Sequence, residues 1–149
     1  MRHDLDDSSA SDPDEPTAAS NRAVVERYFQ MMQQGDPGIG SLLCEDICWV
    51  APQTSPLGRR HEGRAAVQEL MGTGVALYDT SRPMQIDIEA MAAEGDRVFV
   101  EMSLRARTRA GDAYCNQYVF VFSMREGRIA EIHEYLDTLY TQRMLFDAD

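Results

Sequence analysis

After Pro83 the hydrophobic period of the chain changes from about 3.6 residues to two, and the alternation then persists almost to the C-terminus. Met84, Ile86, Ile88 and Ala90 alternate with Gln85, Asp87 and Glu89. Val98, Val100, Met102, Leu104 and Ala106 alternate with Phe99, Glu101, Ser103, Arg105 and Arg107. Period two belongs to a strand with one face in a core. Glu94-Gly95-Asp96, Ala110-Gly111-Asp112 and Arg125-Glu126-Gly127 supply tight turns. The segment therefore reads as four strands of an antiparallel meander, the third over Tyr114–Met124 and the last over Arg128–Tyr140. One face of such a sheet needs a cover, and the residues before Pro83 must supply it.

Those residues have helical spacing. Ser20 or Asn21 suits an N-cap, and Val24, Val25, Tyr28, Phe29 and Met32 recur on one stripe until Gly35-Asp36-Pro37 ends the helix. A short second helix is expected over Ile39–Cys44, and a β-prone run, Ile47–Ala51, stops at Pro52. Pro52–Gly63 reads as a loop, and Arg64 opens a third helix through Ala66, Val67, Leu70 and Met71, weakened beyond by Gly72 and Gly74. Helices first and strands after them predict an α+β domain, with about three N-terminal helices on one face of a curved antiparallel sheet. Residues 1–19 offer almost nothing to bury and read as a disordered acidic tail, leaving 20–146 as a single domain.

Charge and composition narrow the partners. The net charge is −11, about half of it in residues 1–19, which argues against nucleic acid and anionic membrane surfaces. No apolar run approaches a membrane span, and the N-terminus lacks an apolar signal-peptide region, so a cytoplasmic protein is expected. Three cysteines (Cys44, Cys48, Cys115) do not form a disulfide framework, and no second Cys or His pair accompanies them to hold a metal. Phosphate loops, nucleophile elbows and zinc motifs are all missing from the sequence.

The chemistry is concentrated in the last strand. One parity there carries Ile132, Glu134 and Leu136; the other carries Glu131, His133, Tyr135 and Asp137. A carboxylate between Ile and Leu on a core-facing stripe is costly to bury ionised, so its pKa should rise toward the range useful to a general acid or base. The alternative is a carboxylate at the sheet rim, or one paired with an Arg or a Tyr hydroxyl. In the preceding strand Tyr114, Asn116, Tyr118, Phe120 and Phe122 share one parity: either plain core, or a pocket wall in which Asn116 and Tyr118 offer hydrogen bonds. Tyr28 and Trp49 are placed to line the same space or to pack within the core. His61 and His133 are expected in solvent, and Glu101 in a surface ion pair with Arg105 or Arg107.

These elements together resemble the nuclear-transport-factor-2-like superfamily, and within it SnoaL-like polyketide cyclases and ketosteroid-isomerase-like proteins. The resemblance rests on Asn21–Phe29, Glu62-Gly63-Arg64, Tyr114–Tyr118, Glu126–Ile129 and His133–Thr138, and spans about residues 20–143. It implies a cone-shaped sheet enclosing an apolar pocket. Tyr28 stands where ketosteroid isomerases carry an oxyanion-hole tyrosine. Their catalytic aspartate falls at Ala51 and their protonated aspartic acid near Val119 or Phe120, so that mechanism is broken. The limonene-epoxide-hydrolase pattern is broken too, its Arg and first Asp falling at Glu101 and Ser103. Phenazine-biosynthesis A/B proteins and SnoaL-like cyclases carry a glutamate at the position of Glu134, although the pocket histidine of the former falls at Leu70. The resemblance implies Glu134 and Tyr28 as catalytic residues and Asn116, Tyr118, Trp49, Phe120, Leu70 and Leu136 as substrate contacts. It further implies no metal or organic cofactor, a small apolar oxygenated substrate, and a homodimer formed through the outer sheet face. A cyclase, isomerase or dehydratase is expected, with a non-catalytic ligand-binding or accessory protein as the alternative.

Overall fold

The computed structural model describes residues 16–147, so most of the expected acidic tail (1–15) lies outside the described residues. The first helix, α1, runs Ala18–Gln34. It starts earlier than the sequence suggests because Thr17, not Ser20 or Asn21, is its N-cap. The Thr17 hydroxyl accepts from the Ser20 N–H at 3.1 Å, and the Ser20 hydroxyl accepts in return from the Thr17 N–H at 2.8 Å. This reciprocal pair satisfies two backbone donors that a helix start leaves free. Gly35, at φ 64°, closes the helix in the left-handed conformation open to a residue without Cβ.

A 3₁₀ turn at Pro37–Leu42 leads into β1 (Leu43–Val50), and β2 is a three-residue strand at Arg60–Glu62. The expected loop Pro52–Gly63 thus contains a short strand, too brief for alternation to show. Helix α2 spans Arg64–Val75. The meander follows as β3 (Gln85–Glu94), β4 (Arg97–Arg107), β5 (Ala113–Arg125) and β6 (Arg128–Leu136). All six strands form one mixed sheet in the order β2-β1-β6-β5-β4-β3, antiparallel throughout except for β1 against β6. The result is the expected α+β arrangement, a curved and unclosed sheet with helices over one face.

The last strand is shorter than its alternation implies. It stops at Leu136 because the Asp137 carboxylate accepts from the Tyr140 N–H at 3.0 Å and caps a short helix, α3 (Thr138–Thr141). Gln142–Phe146 continues this segment as a π-helical turn. The segment folds back over the open end of the sheet, and Tyr140, Met144 and Leu145 pack against the core.

Register irregularities decide which side chains face inward, one of them in β1 between Leu43 and Cys48. In β6, Ser123 pairs with Glu131 and Met124 with Ile129, so Ala130 is an extra residue and the parity flips there. Ile129 and Ile132 are consequently both buried. In β3, Ile88 pairs with Met102 and Ala90 with Glu101, leaving Glu89 extra. Inward parity passes from Ile86 and Ile88 to Met91 and Ala93, which pack on the core. In β5 the alternation is unbroken: Tyr114, Asn116, Tyr118, Phe120, Phe122 and Met124 are all buried.

Candidate functional site

One cavity of about 420 Å³ opens between the inner sheet face, α2, the Ala51–Leu57 loop and the C-terminal segment. Six of the eight residues picked from the sequence line it: Trp49, Leu70, Tyr118, Phe120, Glu134 and Leu136. They meet because β1, β5 and β6 are neighbours. Phe120 stands directly opposite Glu134, Tyr118 opposite Leu136, and Trp49 opposite Ile132. The Tyr118 and Phe120 rings stack at 5.8 Å between centroids with 1° between planes, and Trp49 meets Phe120 edge-on at 6.1 Å.

Glu134 is the sole carboxylate among the described lining residues, and none of those residues is Arg, Lys or His. With a phenyl ring across from it and no hydrogen-bond donor or cation to stabilise its charge, desolvation raises its pKa from 4.5 to about 7. At neutral pH both protonation states are populated, which is the condition for giving or accepting a proton.

The two remaining residues lie elsewhere. Asn116 is buried behind the wall and fully engaged. Its Oδ1 accepts from the Gln117 N–H at 2.9 Å, which fixes the amide orientation. Its Nδ2 faces Thr141 Oγ1 at 2.9 Å, Tyr114 Oη at 3.1 Å and the Asp137 carbonyl at 3.2 Å. The expected substrate contact at Asn116 is thus an anchor for the C-terminal segment. Tyr28 is fully buried in a cluster with Phe29 and Phe122, and its hydroxyl has no partner. Burial raises its pKa, with the Glu134 charge adding to the effect. It therefore sits within electrostatic range of the cavity acid without forming part of the wall.

Several lining residues escape sequence reasoning. Tyr78 follows a weakened helix, where the two glycines hide any periodicity; a single β-bridge to Thr108 places it. Leu139 comes from the end of the expected last strand, and Thr141, Gln142, Leu145 and Phe146 from the stretch after it, to which the sequence assigned no element. The signal for that segment was present in Asp137, a good N-cap, followed by Leu139 and Leu145.

Outside the cavity, Glu101 does not pair with its strand neighbours. Arg105 reaches across to Asp87, and Arg107 donates to the Gly111 carbonyl. His133 is partly buried on the outer face beside Glu131, and His61 keeps contact with solvent as expected, 3.1 Å from the Gly58 carbonyl. Among the described residues no helix is long and apolar enough to cross a membrane.

The curated proteins contain no match. Solved structures share the architecture. An NTF2-like protein from Burkholderia xenovorans LB400 is 27% identical, with TM-score 0.71 over 87% of this chain and 98% of that one. TerC, co-crystallised with polyporic acid, superposes with TM-score 0.75 at 21% identity over 85% of this chain and 98% of its own. A protein with a ketosteroid isomerase-like fold from Catenulispora acidiphila DSM 44928, in complex with trimethylamine, gives TM-score 0.69 at 14% identity over 82% and 91%. The family model for the SnoaL-like domain matches residues 25–132, from the middle of α1 to the middle of β6, and stops short of Glu134. Since that match covers well over half of the sequence, the chain belongs to the SnoaL-like domain family, and it shares the fold of the NTF2-like protein from Burkholderia xenovorans.

Proposed function

We infer that this protein is an acid/base catalyst, a cyclase, isomerase or dehydratase, acting on a small, largely apolar, oxygenated secondary metabolite in the cytoplasm. The observation that supports this most is Glu134, a carboxylate held near pKa 7 in an apolar cavity without a counter-ion. Such a group takes a proton from carbon or oxygen in its ionised form and returns one in its neutral form. The three cysteines are free, which suits a reducing compartment. The chemistry asks for no cofactor, because an oxygenated substrate carries its own reactive carbonyl or hydroxyl.

The reaction can be tested without knowing the natural substrate. Small apolar ketones incubated with the protein in D2O should gain deuterium beside the carbonyl, followed by NMR. Glu134→Gln should abolish the exchange while leaving the circular dichroism spectrum unchanged. Equal exchange in both proteins overturns the assignment.

One observation favours a second reading, a non-catalytic binding or accessory protein: Glu134 has no second carboxylate or imidazole beside it in the described wall to relay its proton. A carboxyl resonance for Glu134 that titrates near the ordinary value of about 4.3 would favour that reading.

The outer sheet face suits a homodimer. Val119 pairs with Glu101 on one side and Tyr135 on the other, with Phe99 one step along. Phe99, Val119 and Tyr135 remain 40%, 42% and 56% exposed, an apolar patch of the kind that protein interfaces cover.

A further inference from the structure

Besides Glu134, the polar lining of the cavity comprises Thr54 and Ser55 at the loop, Thr138, Thr141 and Gln142 on the C-terminal segment, and one further group on the inner wall. That group is a pair of phenols, Tyr78 and Tyr118, which both line the wall. Tyr118 Oη lies 2.8 Å from Tyr114 Oη, which in turn lies 3.0 Å from Thr141 Oγ1. Tyr78 stands beside this network, its ring edge-on to that of Tyr114 at 5.3 Å.

Counting protons shows what this cluster can do. Asn116 Nδ2 is a donor to Tyr114 Oη and to Thr141 Oγ1, and the Thr141 hydroxyl donates to the Asp137 carbonyl. Tyr114 therefore receives one hydrogen bond from behind and has its own proton to place, either on Thr141 or on Tyr118. With that proton on Thr141, Tyr118 donates to Tyr114 and shows the cavity only lone pairs. With it on Tyr118, the shorter contact, the Tyr118 proton turns toward the cavity. Rotating two hydroxyls switches between the arrangements; every group behind the wall stays paired in both, and in the second the Tyr118 O–H is left for a ligand to accept. Burial holds the Tyr78 and Tyr118 phenols above their ordinary pKa, so both remain neutral donors.

The geometry points to Tyr78 and Tyr118 as a paired oxygen-binding subsite that receives the carbonyl oxygen of an uncharged apolar ligand, with Tyr114, Asn116 and Thr141 holding Tyr118 in place. This deepens the proposed function and rests on reading the cavity as its substrate chamber. A ketone oxygen takes the hydrogen bonds that the cluster can release, while its hydrocarbon skeleton covers Trp49 and Phe120. A carboxylate ligand, by contrast, would meet Glu134 with no cation in the described wall to offset the repulsion.

A matched pair of ligands isolates the oxygen. 2-Acetylnaphthalene and 2-isopropenylnaphthalene have nearly the same shape and differ in a carbonyl against a methylene. Binding is followed by the fluorescence of Trp49, the single tryptophan of the chain. In the double variant Tyr78→Phe with Tyr118→Phe, affinity for the ketone should fall about tenfold while affinity for the hydrocarbon stays within about twofold. Glu134→Gln should preserve the tenfold contrast, so failure of the catalytic reading leaves this test intact. Equal changes for both ligands, an unchanged ketone affinity in the double variant, or no binding of either ligand to the wild-type protein overturns the subsite.

Discussion

Among the described residues no cation or hydrogen-bond donor stabilises an ionised Glu134, and this has a thermodynamic consequence. Its pKa rises from 4.5 to about 7 on folding, so the folded state binds the proton more tightly than the unfolded one. The penalty for burying it is absent below about pH 4.5, grows as pH rises toward 7, and is complete above that. Partial exposure tempers the cost to about 2–3 kcal/mol. Relative to wild type, Glu134→Gln should therefore gain about that much stability between pH 4.5 and 8, as read by urea denaturation at both pH values. A pH-independent difference would place the carboxyl in solvent. Tyr28 makes the opposite kind of residue-scale case. Its ring packs on Phe29 and Phe122, but its buried hydroxyl is unpaired. Tyr28→Phe should be neutral or stabilising by about 1 kcal/mol, since it removes a desolvated donor and keeps the packing. A loss above 1 kcal/mol would mean that the hydroxyl has a partner in solution. Parity located Glu134 because the strand is regular after the bulge at Ala130. It could not separate Tyr118, facing the cavity, from Asn116 on the same face, because facing inward does not say whether a side chain meets ligand or another element.

At the scale of elements, the C-terminal segment is held by side chains more than by backbone. Asn116 ties it through Thr141 and the Asp137 carbonyl, and Tyr140 Oη accepts from the Cys115 N–H at 3.0 Å. Asn116→Leu keeps roughly the volume and removes the donors, leaving Tyr114 and Gln117 short of partners. The expected cost is about 2–3 kcal/mol, concentrated in residues 138–146. Hydrogen exchange should quicken there while the amides of β4 keep their protection; uniform quickening across the sheet would make Asn116 a general core residue. This segment is also where sequence reading fell short. Alternation carried β6 on to Tyr140, yet Asp137 supplies a cap that ends the strand after Leu136. Capping is a one-residue signal, and a run of alternating residues on either side hides it. The bulge at Glu89 is invisible for a similar reason, since the run Ala90-Met91-Ala92-Ala93 after it is apolar on both parities and fits either face until pairing is known. By contrast α1, α2 and the four-strand meander were legible, because each rests on many residues repeating one period.

For the whole molecule, the inner and outer faces of the sheet pose different problems. The inner face is closed by α1, α2 and the C-terminal segment, and its cavity is enclosed enough to desolvate a carboxylate. On the outer face, Phe99, Val119 and Tyr135 stand among Glu101, Gln117 and the Glu131–His133 pair. Polar neighbours around an apolar centre match the usual layout of an interface, a dry core within a hydrated rim. A net charge of −11 makes two copies repel each other, so the patch must bury enough area for them to associate against that repulsion. Placing a charge at the centre separates this from nonspecific clustering. Val119→Asp puts a carboxylate beside Glu101 and Tyr135 on the outer face, where the monomer tolerates it because Val119 is 42% exposed. Sedimentation at micromolar concentration should show a dimer for wild type and a monomer for Val119→Asp, with the far-ultraviolet spectrum unchanged. A second consequence follows from salt. If the patch carries the association, raising ionic strength should tighten the wild-type dimer by screening like charges, whereas an interface held by ion pairs would loosen. A monomeric wild type at every salt concentration would remove the dimer and leave Phe99, Val119 and Tyr135 as solvent-facing residues of a single cone.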